Sequence, residues 1–534
     1  MARPLSCPRP LFARAPCSRR SPPPRRAPPR AAHGSIAPPM NRSSGILLHF
    51  TSLRNPYPIG DIGPAARRFA DLLAAAKQTW WQTLPLNPPA AGDSPYAAFS
   101  AFAGNVALLS PDDLHADGLL ARDDLSPPPQ KPTDRIDYAA ANAFKTRLLH
   151  RAHDRFAAGH APALAEAYAQ FRAAQTYWLD DYALFMALRE RYPNRPWSRW
   201  PAPLAMRRTP ALAEARRALA PAIDRHRFGQ FLFSRQLATL RAHAARSRLR
   251  FIGDMPIFVA LESADAWAHP GLFTLGPAGK PTAVAGVPPD LFSNTGQRWG
   301  NPLYNWKAMA ADGFTWWIHR LRAALEQADL VRIDHFRGFA ACWTIPARAR
   351  TAVRGQWIST PGDALLSRLA QEFPRQNLPL IAEDLGLITP DVHALREKFR
   401  LPGMRVLQFA FDGNPANPHL PHNITPDNVA YTGTHDNDTT AGWFRSADAR
   451  TRRTAAAYLP EIRANPARTL LAAAWATTAT LAIAPLQDVL GLPSTARMNL
   501  PGTPTGNWAW RAPALSSSLG VVADITTMYN RTPA

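Results

Sequence analysis

Short apolar runs alternate with longer segments of helical character along most of the chain. From Ser44 onward, runs rich in Val, Ile, Leu and aromatic residues are each followed by polar residues and then by a segment rich in Ala, Leu and Arg. This alternation is typical of a parallel sheet that is covered by helices on both faces. Eight strands are predicted, at residues 45–50, 79–86, 249–254, 329–333, 378–382, 404–411, 428–431 and 481–486. Eight such units predict an α/β fold of the TIM-type (β/α)8 barrel class.

The alternation is interrupted between the second and third predicted strands. Residues from about 110 to 248 are dense in Ala, Arg and Leu at helical spacing, which predicts a mostly helical insertion. Pro-rich segments at 126–132 and 192–203 predict connecting loops. We therefore expect residues 41–534 to form one elaborated barrel domain.

The first 40 residues have a composition of their own. They contain eight Arg and no Asp, Glu or Lys, with too many prolines for a continuous helix and too little apolar sequence for a secretory signal. We expect residues 1–40 to be a disordered leader. Three explanations remain open: translation starting at Met40, an organellar transit peptide, or a functional basic arm.

Charge and composition narrow the function classes. The formal charge is +22, of which the leader holds +8, and the remaining +14 is scattered and consists mostly of Arg. Such usage is what a GC-rich coding sequence would produce, so we predict no nucleic-acid partner. Cys342 is the one cysteine outside the leader, which excludes an internal disulfide in the body and fits a reducing compartment. No apolar run approaches the ~18 to 20 residues of a membrane span. A cytoplasmic location is therefore predicted, or a plastid location only if the leader is a transit peptide.

Acidic side chains follow several of the predicted strands. Catalytic residues of a β/α barrel project from the carboxyl ends of its strands, and there the sequence places Asp254, Arg332, Asp334, His335, Glu383, Asp384 and the segment Thr434–Asp438. A retaining glycosidase needs one carboxylate as nucleophile and a second as acid, about 5 to 5.5 Å apart. Asp334 and Glu383 can meet at that range only if they end neighbouring strands. Arg332, two positions before Asp334 on the same strand face, is expected to hold that nucleophile ionised and oriented.

Other kinds of site have weaker support in the sequence. His435, Asp436 and Asp438 include metal-ligand types, but no metal-binding spacing accompanies them, so no metal site is predicted. The chain contains no nucleophile elbow, phosphate loop or dinucleotide fingerprint. Aromatic residues near the predicted strand ends are candidate sugar platforms: Trp80, Trp81, Tyr96, Trp299, Tyr304, Trp306, Trp343 and Trp443. Most of them are expected to be core residues, whereas Trp299 lies in a Gly-, Pro- and Asn-rich stretch that predicts a loop.

Long motifs in the chain are similar to those of a known family. They are GDSPYAAFSAFAGN, IGDMPIFVALESADAWAHPGLF, VAGVPPDLFSNTGQRWGNPLYNW, VRIDHFRGF, AEDLG, LPGMRVLQFAFDG, YTGTHDNDTT and ARMNLPGTPTGNWAWR. With these motifs, residues from about 44 to 511 closely resemble the amylomaltases, the 4-α-glucanotransferases that include the plastid disproportionating enzymes. The resemblance implies a barrel of the α-amylase superfamily with helical insertions, a lid-loop region at about 284–306, no separate C-terminal β-domain and no required cofactor.

The resemblance also implies roles for individual residues. By position in the motifs, Asp334 corresponds to the nucleophile, Glu383 to the acid/base and Asp436 to a third carboxylate that grips sugar hydroxyls. His435, Arg332 and Asp254 are expected to assist Asp436. The remaining matched positions are expected to bind substrate: Ser94, Tyr96, Asp290, Gln297, Trp299, Asn301, Phe409 and Asn499.

The implied reaction is transfer of an α-1,4-glucan segment from a maltooligosaccharide donor to the 4-hydroxyl of a glucan or glucose acceptor, by double displacement. The chain departs from the family pattern at Ala97, Leu291, Ala340, Cys342 and Thr344, which puts acceptor binding and the balance of transfer against hydrolysis in doubt. An α-1,4-glucan hydrolase and a non-catalytic glucan-binding protein remain as alternatives. Donor length, cyclic products and oligomeric state stay open.

Overall fold

Strands whose side chains are almost all buried alternate with helices along the chain. The structure, a computed structural model, describes residues 42–90, 92–127, 134–289, 293–374, 377–515 and 519–533. These residues belong to one compact unit, Met40–Ala534. Asp290 and Leu291 lie outside the described residues.

Twelve strands occur in these described ranges. They are β1 (Ser43–Leu47), β2 (Trp80–Gln82), β3 (Arg250–Pro256), β4 (Ala283–Val287), β5 (Gln297–Pro302), β6 (Leu330–Asp334), β7 (Ala341–Pro346), β8 (Gln356–Ser359), β9 (Leu380–Ala382), β10 (Gly403–Val406), β11 (Asn428–Tyr431) and β12 (Leu481–Pro485).

The α-helices fill the intervals between the strands. They are α1 (Pro64–Ala75), α2 (Pro111–Ala116), α3 (Tyr138–Ala157), α4 (Ala165–Ala174), α5 (Thr176–Arg191), α6 (Ala202–Ala205), α7 (Thr209–Ala218), α8 (Ala220–Arg246), α9 (Ala264–Ala268), α10 (Trp306–Ala311), α11 (Thr315–Gln327), α12 (Gly362–Glu372), α13 (Pro390–Lys398), α14 (Thr440–Ser446), α15 (Ala449–Tyr458), α16 (Pro466–Ala476), α17 (Leu486–Val489) and α18 (Gly520–Met528). Helices α2 to α8 lie between β2 and β3, where the insertion was expected.

Eight parallel strands of the described chain form the main sheet, in the order β10, β11, β12, β1, β2, β3, β6, β9. The two edge strands approach each other, because the Ala382 amide at the end of β9 donates to the Pro402 carbonyl just before β10 at 2.9 Å. The sheet therefore nearly closes into a barrel. All eight predicted strands overlap strands of this sheet, and the predicted TIM-type fold is confirmed.

The barrel is closely packed because apolar side chains fill both of its faces. Trp81 on β2 is fully buried against Phe50 and Phe69, with ring centroids 4.8 Å from each. Gly45 on β1 is needed for the same packing, since a Cβ there would lie 2.4 Å from the Trp80 carbonyl oxygen. Trp80, Trp81 and Tyr304 are buried. These three aromatics are therefore core residues, as the sequence favoured for most of the set.

A second, antiparallel sheet follows the order β5, β4, β7, β8. Its strands do not belong to the eight-stranded parallel sheet of the barrel. The sequence pattern did not predict this second sheet. Trp299 lies on β5, so the expectation that it belongs to a loop is wrong. The strand is difficult to detect from the sequence because the segment QRWGNP has no apolar face. Its backbone is held by pairing with β4.

Within the ranges that the structure describes, no helix is both long and apolar enough to cross a membrane.

Candidate active site

Strand register brings the predicted carboxylates to the same end of the barrel. Ile333 on β6 pairs with Ala382 on β9, so Asp334 and Glu383 are the next residues on two neighbouring strands. The backbone continues this ladder, with the Glu383 amide donating to the Ile333 carbonyl at 3.1 Å. Because neighbouring strands lie about 4.8 Å apart, the two side chains start from adjacent backbone positions, which is compatible with the spacing that retaining chemistry requires.

Arg332 connects two of these carboxylates. Its guanidinium nitrogen NH1 donates to both oxygens of Asp254, at 2.9 and 2.8 Å, and NH2 lies 3.0 Å from Asp334 Oδ1. The guanidinium is buried, and although burial alone lowers its pKa, Asp254 and Asp334 raise the pKa of Arg332 well above its usual value. One fixed cation therefore orients the predicted nucleophile.

The charge on Asp334 reflects opposing influences. Burial raises the pKa of Asp334, and Arg332 opposes that rise. The net direction is upward, so Arg332 does not lower the pKa below the ordinary value, contrary to the simplest form of the sequence expectation. Of the two acids it is nevertheless Asp334 that contacts a cation, and this pairing favours its ionised form.

Glu383 has the properties of a proton donor. Its carboxylate is buried and accepts two backbone hydrogen bonds, from the His335 amide at 2.6 Å and from the Leu385 amide at 2.9 Å. Burial first, and then the charge of Asp334, raise the pKa of Glu383 to about 7, against the opposing effect of Arg332. A carboxylic acid that stays protonated near neutral pH can act as a general acid.

His335 completes this arrangement through its backbone. It adopts the left-handed conformation with φ of 56°, which aims its amide at Glu383. A non-glycine residue in this region carries local strain that the surrounding structure must hold in place. Burial, with Arg337 nearby, lowers the pKa of the imidazole to about 3, so it is neutral. The sequence analysis noted His335 at the strand end but did not include it in the site.

Asp436 follows β11 on the other side of the barrel mouth. Its Oδ1 accepts a hydrogen bond from the Asn499 amide at 2.6 Å and lies 3.3 Å from His435 Nε2. The Asp436 side chain is 47% exposed, whereas His435 is buried. The carboxylate is therefore positioned by two neighbours and still open to a ligand.

Tyr96 links the two groups of acids. Its hydroxyl donates to Asp254 Oδ2 at 2.7 Å, and its ring stacks on His435 with centroids 4.9 Å apart. Ser94 Oγ accepts from the Tyr96 amide at 3.3 Å and so fixes the turn that presents the tyrosine. Contacts thus join Asp334, Arg332, Asp254, Tyr96, His435, Asp436 and Asn499 in one continuous series.

The second sheet contributes an aromatic residue to the same place. Trp299 is 38% exposed, and its ring meets His335 edge to face at 4.8 Å. The indole N–H donates to Gln297 Oε1 at 3.1 Å, while the Asn301 amide donates to the Val259 carbonyl at 2.8 Å. These three predicted residues all lie on β5, which places Trp299 against the residue that follows the predicted nucleophile.

Two predicted positions are less closely tied to the acids. Phe409, after β10, is 37% exposed and packs against His419 at 5.6 Å. Asp290 lies outside the described residues. Among the described residues, no group of three or more His, Cys, Asp or Glu side chains is arranged to hold a metal ion.

Arg497 and Trp508 are site residues that the sequence analysis missed. Arg497 donates to the Asp436 carbonyl at 2.5 Å and to the Asn499 carbonyl at 2.7 Å. Trp508 packs beside Tyr96 and His435, at 5.7 and 5.8 Å. Both residues lie in the motif ARMNLPGTPTGNWAWR, so that motif was the available signal, but chain spacing alone could not show which of its members reach the carboxylates.

Comparisons with known proteins agree with this geometry. A family model described as 4-alpha-glucanotransferase matches residues 48–516. The chain is 50% identical to a 4-alpha-glucanotransferase of Thermus thermophilus over 478 residues, covering 88% of this chain and 94% of that protein. It is 43% identical to the chloroplastic/amyloplastic 4-alpha-glucanotransferase of Solanum tuberosum over 503 residues, covering 92% and 86%.

A similar structure has also been solved. The amylomaltase from Streptococcus agalactiae in complex with acarbose superposes with a TM-score of 0.88 at 36% identity, covering 92% of this chain and 100% of that one.

Proposed function

The chain belongs to the 4-alpha-glucanotransferase family, and on that premise we propose that Asp334, Glu383 and Asp436 carry out the transfer reaction. The protein is a 4-alpha-glucanotransferase, an enzyme that transfers glycosyl groups. The observation that carries the residue assignment is the pairing of two unequal carboxylates on neighbouring strands. Asp334 contacts a cation, and Glu383 is held with a pKa of about 7.

In the first step, Asp334 attacks the anomeric carbon of the donor glucan while Glu383 protonates the departing glycosidic oxygen. The C–O bond to the leaving chain breaks as the bond to Asp334 Oδ forms, which leaves a β-linked glucosyl ester and an ionised Glu383. Arg332 holds the attacking carboxylate in position through its contact of 3.0 Å.

In the second step, the 4-hydroxyl of an acceptor glucan or of glucose loses its proton to Glu383 and attacks the ester. Asp334 leaves as a carboxylate, and the product has the same α-1,4 linkage as the donor. Proton and electron counts balance without any further reactant, so the mechanism that we propose uses no cofactor and no metal ion.

Asp436 grips the hydroxyls of the sugar at the bond that breaks. Its side chain is 47% exposed, and its Oδ1 is held by Asn499 and His435. Charge-assisted hydrogen bonds of this kind stabilise the distorted sugar more strongly in the transition state than in the ground state. Tyr96 and Asp254 support the same region by holding His435 and Arg332.

The donor chain is expected to extend over the aromatic and amide side chains around the mouth. Ser94, Gln297, Trp299, Asn301, Phe409 and Asn499 are the described members of this set, and Asp290 is proposed from its motif alone. Aromatic faces such as that of Trp299 pack on pyranose rings and exclude water, which favours transfer over hydrolysis. That a related amylomaltase was solved with acarbose supports a glucan-like ligand for this site.

Incubation with pure maltotriose tests the proposal directly. We expect a ladder of longer maltooligosaccharides together with glucose, and little net rise in reducing ends. A rise in reducing ends without longer products would instead indicate the α-1,4-glucan hydrolase, which the family and its relatives do not favour.

Substitution of the nucleophile tests the residue assignment. Asp334→Asn keeps the shape of the side chain but removes the attacking charge, so the rate should fall by at least about 10³-fold. Asp312→Asn, an exposed position on the surface, is the matched control and should leave the rate unchanged. Full activity of Asp334→Asn would show that another group is the nucleophile.

The cellular location that we propose depends on the nature of the N-terminal leader. A chain that starts at Met40 would be cytoplasmic, whereas a genuine transit peptide in residues 1–40 would direct it to a plastid, as the name of the potato relative states for that protein. Mass spectrometry of the natural N-terminus distinguishes the two cases.

A further inference from the structure

A large cavity lies at the end of the barrel opposite the carboxylates. It has a volume of about 710 Å³, and we call it the basal cavity. Its lining comes from the amino ends of neighbouring strands, from the end of α8 and from the last described residues. The residues are Arg42, Ser43, Thr79, Trp80, Arg241, Ala242, Ala245, Arg248, Leu249, Arg250, Phe251, Asp329, Thr532 and Pro533.

The lining of the basal cavity is strongly basic. It contains four arginines, and Asp329 is the one carboxylate among the described lining residues. Asp329 Oδ1 lies 2.8 Å from Arg241 and so balances one of the four charges. The formal charge of the lining is therefore +3, which is a high density for a cavity of this size.

Two of the other arginines, Arg42 and Arg250, are held by neutral groups. Arg42 donates to the carbonyls of Trp475 and Thr477, at 3.0 and 2.7 Å, and these bonds leave its charge uncompensated. The Arg250 guanidinium lies 4.0 Å from the centre of the Trp80 ring. Such contacts fix the cations in place without neutralising them.

A further cation lies directly behind the lining. Arg531 is fully buried and donates to the carbonyls of Ser43 and Trp475. Burial first, and then the charge of Arg42, lower the pKa of Arg531 to about 9. This mutual effect indicates that the region holds more positive charge than its described acids balance.

We propose that the basal cavity binds a phosphorylated small molecule. Guanidinium groups match the oxygen geometry of a phosphoryl group, and several of them converging from different elements are typical of phosphate recognition. The volume lies within the range of small-molecule sites, and Trp80, Leu249 and Phe251 give the cavity an apolar wall for the organic part of the ligand.

The basal cavity is separate from the sugar site. Arg250 and Asp254 lie on the same strand, four residues apart, which corresponds to about 13 Å along β3. Likewise, Asp329 immediately precedes β6 and Asp334 ends it, five residues further along the chain. A ligand in the cavity therefore does not touch the donor glucan and should not compete with it.

Isothermal titration calorimetry of the full chain, at fixed ionic strength, tests the proposal with three probes: inorganic phosphate, glucose 1-phosphate and ATP. We expect saturable binding of the phosphate esters, unaffected by saturating maltotriose in the Asp334→Asn protein. Equal affinity for inorganic phosphate and glucose 1-phosphate would support recognition of the phosphoryl group itself. No saturable binding of any probe, or binding displaced by maltotriose, would overturn the proposal.

Substitutions locate the site. Arg241→Gln and Arg248→Gln should each weaken binding of glucose 1-phosphate about tenfold, the loss expected for one charge-assisted hydrogen bond. Arg322→Gln is the matched control, because it removes the same charge and an ion pair of 2.6 Å with Glu372 outside the cavity. Equal affinities in all three variants would exclude the basal cavity as the binding site.

One substitution should act in the opposite direction. Asp329→Asn removes the negative charge that repels an anionic ligand. The asparagine keeps a side-chain oxygen that can accept the hydrogen bond from the Phe251 amide, which Asp329 Oδ2 accepts at 2.8 Å in the parent protein. Affinity should therefore rise, and transferase activity on maltotriose should stay unchanged. A weaker affinity in a folded Asp329→Asn protein would contradict the charge argument.

Discussion

The different proton affinities of two neighbouring side chains determine what the barrel mouth can do. Asp334 contacts the Arg332 guanidinium, whereas Glu383 accepts only backbone hydrogen bonds and has a pKa raised to about 7. Both are carboxyl groups, and their different environments suit one to the proposed role of nucleophile and the other to the proposed role of acid.

The pH dependence of the rate follows from Glu383. Because this group must be protonated to release the leaving chain, kcat/KM for maltotriose should fall as the pH rises above about 7. Initial rates measured between pH 5 and 9 in buffers of constant ionic strength would show the decline. A rate that is level from pH 6 to pH 8.5 would contradict the assignment.

The same raised pKa affects stability. Between the ordinary glutamate pKa and about 7, Glu383 keeps a proton in the folded state that it has already lost in the unfolded state. This group therefore makes the protein less stable as the pH rises through that window. Glu383→Gln has no titrating group at this position and therefore lacks this loss of stability. The difference in melting temperature between the variant and the parent should therefore increase from pH 5 to pH 7, as differential scanning calorimetry can measure, and a constant difference would argue against the shift.

Tyr96 offers a way to separate hydrogen bonding from stacking. Tyr96→Phe removes the hydroxyl that donates to Asp254 at 2.7 Å and keeps the ring that stacks on His435. We expect a decrease in kcat/KM of about tenfold for Tyr96→Phe, the value of one hydrogen bond to a charged group, and a clearly larger decrease for Tyr96→Ala. Equal losses in both variants would show that the stacking contributes nothing.

At the scale of elements, the barrel strands could be predicted and the second sheet could not. Strand β12, for example, is apolar and buried along its whole length, so its sequence pattern is clear. Strand β5 has the burial pattern of a half-exposed edge and the sequence QRWGNP, and only its pairing with β4 defines it. Pairing between distant segments is not visible in a local pattern.

The candidate site also contains some features that the sequence predicted and others that it did not. The positions of Asp334 and Glu383 at the ends of neighbouring strands could be predicted, because each residue follows an apolar run and lies in a family motif. The left-handed backbone of His335, which directs its amide to Glu383, could not, since nothing in the residue type indicates φ of 56°. Arg497 and Trp508 were missed because the contacts that tie them to the site, with Asp436 for Arg497 and with Tyr96 and His435 for Trp508, join residues more than 60 positions apart along the chain.

The position of Trp299 on the second sheet leads to a prediction about water exclusion. Trp299→Ala removes the ring that meets His335 at 4.8 Å and opens the mouth beside Asp334. We expect a higher KM for maltotriose and a larger fraction of hydrolysis among the products, measured as reducing ends per transfer. Trp343→Ala, on β7 of the same sheet with its indole bonded to Ala352, is the control and should leave the product ratio unchanged.

At the scale of the whole molecule, the described site residues lie between positions 94 and 508, and the family match begins at residue 48. A chain that starts at Met40 should therefore have the same transferase rate and melting temperature as the full chain. Activity assays and calorimetry of the two proteins test this expectation. A large loss of activity in the shorter protein would favour the basic-arm explanation of the leader.

The contact between Asp334 and its neighbours has a consequence for the order of events in one turnover. The negative charge of Asp334 is one reason why Glu383 retains its proton. That charge disappears when the carboxylate becomes an ester, while Arg332 stays cationic and close by, so the proton affinity of Glu383 drops at that moment. In the proposed mechanism, formation of the intermediate thus converts the acid into the base that the incoming hydroxyl needs, and departure of the product restores the starting ionisation.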